Sequence, residues 1–160
     1  MSNCADLPVL ECEVPKEGLK LDLVLRPREP KDGELQYWPL FNAANPEEHF
    51  GNMRFKIQKG GVATLNVTLD LSEVSGRELE FARCHFHKLD GIIALTPDFR
   101  HQFRARAKRV EGEYTKLIIR IKDKAKIPDN FSFLWMCVDP ETGMHFVSGD
   151  PDAVIDPGDI

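Results

Sequence analysis

The chain has 160 residues, 42% of them hydrophobic and 29% charged, with a net charge of -5 at pH 7. That composition is ordinary for a globular chain with one full core, and the acidic balance argues against whole-surface attraction to nucleic acid. No apolar run approaches the ~20 residues of a membrane span.

The N-terminal stretch MSNCADLPVLECEVPKEG has no basic start followed by a long apolar core, so it does not read as a secretory signal. Its four cysteines, Cys4, Cys12, Cys84 and Cys137, show no CxxC spacing, so neither a zinc ribbon nor a thioredoxin-like site is indicated. Free thiols in a cytoplasmic protein are the expectation. A bridge between Cys84 and Cys137 is allowed in geometry but is not deducible from spacing.

Taken in order, residues 9–14 alternate Leu10, Cys12 and Val14 against Glu11 and Glu13. Next, Leu19, Leu21, Leu23 and Leu25 occupy one face of a half-buried strand, because helical spacing would scatter them round the axis. Residues 26–33, RPREPKDG, read as loop. Tyr37, Trp38 and Phe41 surround Pro39, which restricts that run to an edge strand or irregular segment covering the core, with a polar loop from Asn42 to Gly51 after it. Met53, Phe55 and Ile57 form the next apolar face, and Ala63, Leu65, Val67 and Leu69 the one after, across Gly60-Gly61.

From Glu78 to His87 the apolar set changes face, Leu79 and Phe81 first, then Ala82, Cys84 and Phe86. One extra residue near Ala82 or Arg83, a β-bulge, reconciles the two halves. Ile92 to Leu95 is a short buried run. Thr96-Pro97-Asp98 has the chemistry of a helix start, but a strand from Phe103 is the better reading, with at most one helical turn between Pro97 and His101. The odd positions Phe103, Ala105 and Ala107 match the odd positions Thr115, Leu117, Ile119 and Ile121. For these faces to coincide, Val110 must pair with Tyr114 across Glu111-Gly112-Glu113.

The densest aromatic content follows, in FSFLWMCV, DPETG and MHFVS, a β-hairpin closed by Asp139, Pro140 and Gly143. Phe131, Phe133, Trp135 and Cys137 point one way, while Ser132, Leu134, Met136 and Val138 point the other. Both faces are apolar, as expected for a strand packed on each side.

Three patterns carry possible chemistry. The predicted hairpin register sets Arg104 opposite Arg120 and Lys108 opposite Lys116, with Arg106 and Lys122 on the same surface, although opposed like charges are unfavourable. Between Arg100 and Lys126 ten Lys or Arg stand against three Asp or Glu, a balance of +7, so the rest of the chain carries -12. Such a stripe is either a solvated face or a site for an acidic protein partner, a second copy or an anionic ligand. Nucleic acid is disfavoured because no aromatics interleave for stacking. Second, His85 and His87 share a strand face at i and i+2 and, with His145, would supply ligands for one zinc, copper or iron ion. The plain alternative is ordinary surface histidines. Third, Asp150, Asp152, Asp156 and Asp159 crowd the C-terminus, without EF-hand spacing, as turns or a solvated end. No GxSxG, P-loop, HExxH or dinucleotide fingerprint is present.

The ending Ser148-Gly149-Asp150-Pro151-Asp152-Ala153-Val154-Ile155-Asp156-Pro157 resembles the DP-EP family, small bacterial β-sandwich domains, over about residues 50–157. Asp156-Pro157 stands where the family name implies Glu-Pro, and Gly149 where another residue type is expected. The resemblance implies a fold and supplies no catalytic residue.

Together these readings predict an all-β, two-sheet antiparallel β-sandwich, immunoglobulin-like, of about seven to nine strands in a single domain. The first 50 or so residues stand as an added strand pair and loop. The function expected is a non-enzymatic interaction module binding a protein partner or itself. The alternative is a metal-binding protein or mononuclear metalloenzyme.

Overall fold

The computed structural model describes residues 8–29, 37–74, 76–83, 89–96, 102–123, 129–149 and 152–157. They form strands β1 (Val9–Val14), β2 (Leu19–Leu25), β3 (Leu40–Asn42), β4 (Asn45–Phe50), β5 (Asn52–Ile57), β6 (Val62–Leu69) and β7 (Glu80–Phe81). After these come β8 (Ile92–Ala94), β9 (Phe103–Val110), β10 (Glu113–Lys122), β11 (Asp129–Val138), β12 (His145–Val147) and β13 (Asp152–Pro157). Among the described residues there is no helix, and none long and apolar enough to cross a membrane.

Alternation explains why these segments build two sheets that face one another. In the first, β1, β5, β13, β11 and β12 lie in that order, with β7 and β8 also paired to β11. Its inner face presents Leu10, Cys12, Val14, Met53, Phe55, Ile57, Ala153, Ile155, Phe131, Phe133, Trp135 and Cys137, all buried. The second runs β4, β3, β2, β6, β10, β9 and contributes Leu23, Leu25, Leu40, Ala63, Leu65, Val67, Leu117, Ile119, Ile121, Phe103 and Ala105. The longer strands thus bury alternate residues against the opposite sheet, the arrangement of a β-sandwich. Aromatic rings cross the interface: Phe103 stacks on Phe131 at 4.7 Å and tilts against Phe133 at 5.7 Å.

The sheets are mixed rather than antiparallel. β1 and β13 both run parallel to β5, and β2 runs parallel to β6. Strand direction leaves no trace in alternation, so the sequence could not reveal it. The thirteen strands also exceed the seven to nine predicted, because β3, β7, β8 and β12 have only two or three residues, too few to show a period. The loop predicted from Asn42 to Gly51 is instead a tight turn and the edge strand β4, whose residues are exposed except for Phe50. Backbone pairing to β3 holds it without an apolar face. β1 enters one sheet and β2 the other.

The bulge predicted near Ala82 falls at the end of β7, and the second half of that predicted run, Cys84 to His87, lies outside the described residues. β7 stops after Phe81, and the chain returns to β11 at β8. Gly91 N–H donates to Ala82 O at 2.6 Å, Met136 N–H to Gly91 O at 2.8 Å, and Ala82 N–H to Met136 O at 3.1 Å. These bonds bring Ala82 and Gly91 together against Met136 of β11. The helical turn expected between Pro97 and His101 lies outside the described residues.

Trp38 is buried and its indole N–H donates to Arg28 O at 3.1 Å, while Arg26 stacks over Phe41 at 4.3 Å. The aromatic cluster around Pro39 is therefore core cover.

Candidate functional site

The β9–β10 hairpin pairs as its odd-position pattern requires. Arg104 stands opposite Arg120, Arg106 opposite Ile118, and Lys108 opposite Lys116. Only the tip differs. Glu111 (φ 53°) and Gly112 (φ 87°) form a two-residue turn, Val110 pairs with Glu113, and a bulge before Lys116 restores the register. Two successive positive φ angles are those of a type I′ turn, whose twist matches that of the strands.

Phe103, Ala105, Leu117, Ile119 and Ile121 occupy the core face, so the alternate positions must face outward. Arg104, Arg106, Lys108, Arg120 and Lys122 are exposed and Lys116 half-buried. Register carries the face onward across the sheet. Arg120 is opposite Thr64, which is opposite Lys20, and Lys116 is opposite Thr68. In the middle row, Ile118 is opposite Asn66, whose amide donates to Asp22 at 3.2 Å. Thr64, Thr68 and Lys20 were invisible as site residues in the sequence, since only strand order brings β2 and β6 beside the hairpin.

The two outer faces treat charge differently. On the first sheet, exposed Glu11 is opposite Arg54 and exposed Glu13 is opposite Lys56, opposite signs across parallel strands. Elsewhere cations are also neutralised: Arg26 bonds Asp70 at 2.9 Å, Arg28 bonds Glu73 at 2.7 Å, and Arg77 bonds Glu29 at 2.9 Å. Among the described residues, none of the six cations of β9 and β10 on the outward face is in an ion pair. Like charges directly opposite in a sheet destabilise it, so this face holds unneutralised repulsion. At the hairpin tip Arg83 and Arg109 both lie over the Tyr114 ring, at 4.5 and 5.0 Å.

The free edge of β9 is occupied. Leu89 bridges Ala105, Asp90 N–H donates to Ala105 O at 3.0 Å, and the Asp90 carboxylate accepts from Ala107 N–H at 2.9 Å. A buried acid that satisfies the backbone of an edge strand blocks strand addition there.

His85 and His87 lie outside the described residues. His145 is exposed on β12, opposite Val138 of β11, while β7, which leads towards the two histidines, flanks β11 on its other side. Two strand spacings, about 10 Å, thus separate β12 from β7. Among the described residues no group of three or more His, Cys, Asp or Glu is placed to hold a metal ion.

Cys84 also lies outside the described residues, and Cys137 is a free, fully buried thiol. Burial pushes the Cys137 thiol well up and that of Cys12 up to about 11. A nucleophilic cysteine needs the reverse shift, so neither has the chemistry of a catalytic thiol. Cys12 ionises readily only after unfolding, so its contribution to stability is intact below an ordinary thiol value of 9.0 and is lost as pH rises towards about 11. Across that interval urea unfolding should show the parent losing about 1.4 kcal/mol per pH unit relative to Cys12→Ala.

On the outside of the first sheet, Leu134, Met136 and Val138 are half-buried opposite Ile93, Val147 and His145, whereas the inner set of β11 is fully enclosed. A depression of about 200 Å³ at β1, β5 and β13 is lined by Val9, Glu11, Asn52, Met53, Arg54 and Val154. It is smaller than the ~300–1,000 Å³ of small-molecule sites.

No family model matches this chain. No curated protein matches it either.

Proposed function

We propose that this chain is a non-enzymatic interaction module that receives an acidic protein partner on the outward face of β9 and β10. The observation that carries this reading is the pair of like-charge couples, Arg104 with Arg120 and Lys108 with Lys116, left unneutralised on a sheet whose opposite number pairs its charges by sign. Such repulsion weakens the fold, and an acidic partner would relieve it. The blocked β9 edge supports side-chain recognition rather than strand addition. The buried free thiols support a reducing compartment, the cytoplasm. Resemblance to the DP-EP domains over the Ser148–Pro157 stretch supports a bacterial origin.

Charge reversal separates function from folding. Arg104→Glu converts one repulsive couple into an attractive one, so the variant should be more stable than the parent by about 0.2–1 kcal/mol. Arg104→Glu with Arg120→Glu should lose binding to a poly-glutamate probe that the parent binds at low salt and releases at 0.5 M NaCl. If both proteins bind the probe equally, the basic face is not the site. Native mass spectrometry of gently purified protein adds the subunit count; self-association abolished by the same reversal would make a second copy the partner.

A further inference from the structure

The arrangement of cations is more specific than a positive patch. Arg104 and Arg120 form one row with Thr64 and Lys20. Lys108 and Lys116 form another with Thr68. The row between them holds Arg106 on β9, Ile118 on β10, Asn66 on β6 and Asp22 on β2, so on the hairpin it carries one cation where the rows on either side carry two, and over β10 it is apolar. The two cationic rows are four residues apart along each strand, about 13.6 Å at ~3.4 Å per residue. Within a row the two cations sit on adjacent strands about 4.8 Å apart, close enough to share one carboxylate, with a threonine hydroxyl alongside.

We infer that the face recognises an extended segment of a partner protein with the pattern acid-x-apolar-x-acid, lying along β9 and β10. This rests on the basic-face reading above and names its partner class. An extended chain places residues i and i+4 the same ~13.6 Å apart, so its two acids reach the two cationic rows while residue i+2 covers Ile118. A helix rises only ~1.5 Å per residue, so it would need acids about nine residues apart. A uniform polyanion also meets the two cationic rows but sets a charge over Ile118, so it binds less tightly than a segment with an apolar residue there. Because Asp90 and Leu89 occupy the edge of β9, the segment lies on the face and is read through its side chains.

The test uses labelled nine-residue peptides of identical composition in fluorescence anisotropy at 50 mM NaCl. One has acids at i and i+4 around an apolar i+2, one has acids at i and i+5, and one has an acid at i+2. The parent should bind the first about tenfold more tightly than the others, the effect of one charge-assisted hydrogen bond. Ile118→Lys, with its folding checked by urea unfolding, should reverse that order in favour of the peptide with the central acid. Equal binding of all three peptides overturns the pattern and leaves the basic-face reading standing. Binding of none, at protein concentrations where the fold is intact, overturns both. Tighter binding of a single-stranded oligonucleotide than of every peptide also overturns the inference, in favour of a nucleic-acid face.

Discussion

Phe133→Ala is expected to lower the unfolding free energy by about 4–5 kcal/mol, the upper part of the range for phenylalanine truncation in a core. Phe133 is fully buried at the middle of β11 and touches three rings, Phe103 at 5.7 Å, Phe131 at 5.8 Å and Trp135 at 5.0 Å. Phe103 belongs to the opposite sheet, so the cavity would open at the junction of the two layers, where neither can collapse without moving the other. A domain of this size has roughly 5–15 kcal/mol of stability in total, so the variant should be partly unfolded at 37 °C. A urea midpoint shifted by less than half the parent value, with an unchanged m-value, would show that the sheets relax into the space.

Gly91→Ala should cost about 2–4 kcal/mol, for a reason that lies in the backbone as well as in packing. Gly91 has φ of 70°, a conformation that an alanine adopts only with strain. An added Cβ would also lie 2.9 Å from Phe81 Cδ1 and 3.0 Å from Leu117 Cδ2, atoms of two buried side chains with no room to retreat. The same residue donates to Ala82 O and accepts from Met136 N–H, so any shift of its backbone loosens the junction of Ala82, Gly91 and Met136. Amide hydrogen exchange at Ala82 and Met136 should accelerate in the variant even at temperatures where it is folded. Unaltered exchange and stability would mean that Phe81 and Leu117 yield easily. Leu117→Val, by removing one of the two clashing neighbours, should recover part of the loss.

The candidate face was legible to an unusual depth. Alternation assigned Arg104, Arg106, Lys108, Lys116, Arg120 and Lys122 to one surface, and matching the odd positions of the two strands gave the pairs Arg104–Arg120 and Lys108–Lys116 that the structure contains. That worked because the hairpin is local: one buried face sets its register, and a slip by one residue would bury every cation. The turn itself was missed, since Glu111-Gly112 closes the hairpin in two residues and a bulge restores the count. A bulge changes spacing without changing which residues are apolar.

What the residue pattern determined by itself was an all-β chain, the inward set of each long strand, and the charge of the β9–β10 face. Those are consequences of a two-residue period imposed by one buried side. Only the tertiary structure decided which strands neighbour one another and in which direction they run. The C-terminal Asp152–Pro157 stretch shows why: read as turns or a solvated acidic end, it is a strand between β5 and β11, with Ala153 and Ile155 buried in the core. The parallel pairs β1 with β5 and β2 with β6 likewise join segments some 40 residues apart. Backbone hydrogen bonds are blind to residue type, so such pairings are chosen by how the whole core closes. That closure brings Thr64, Thr68 and Lys20 beside the cations of the hairpin.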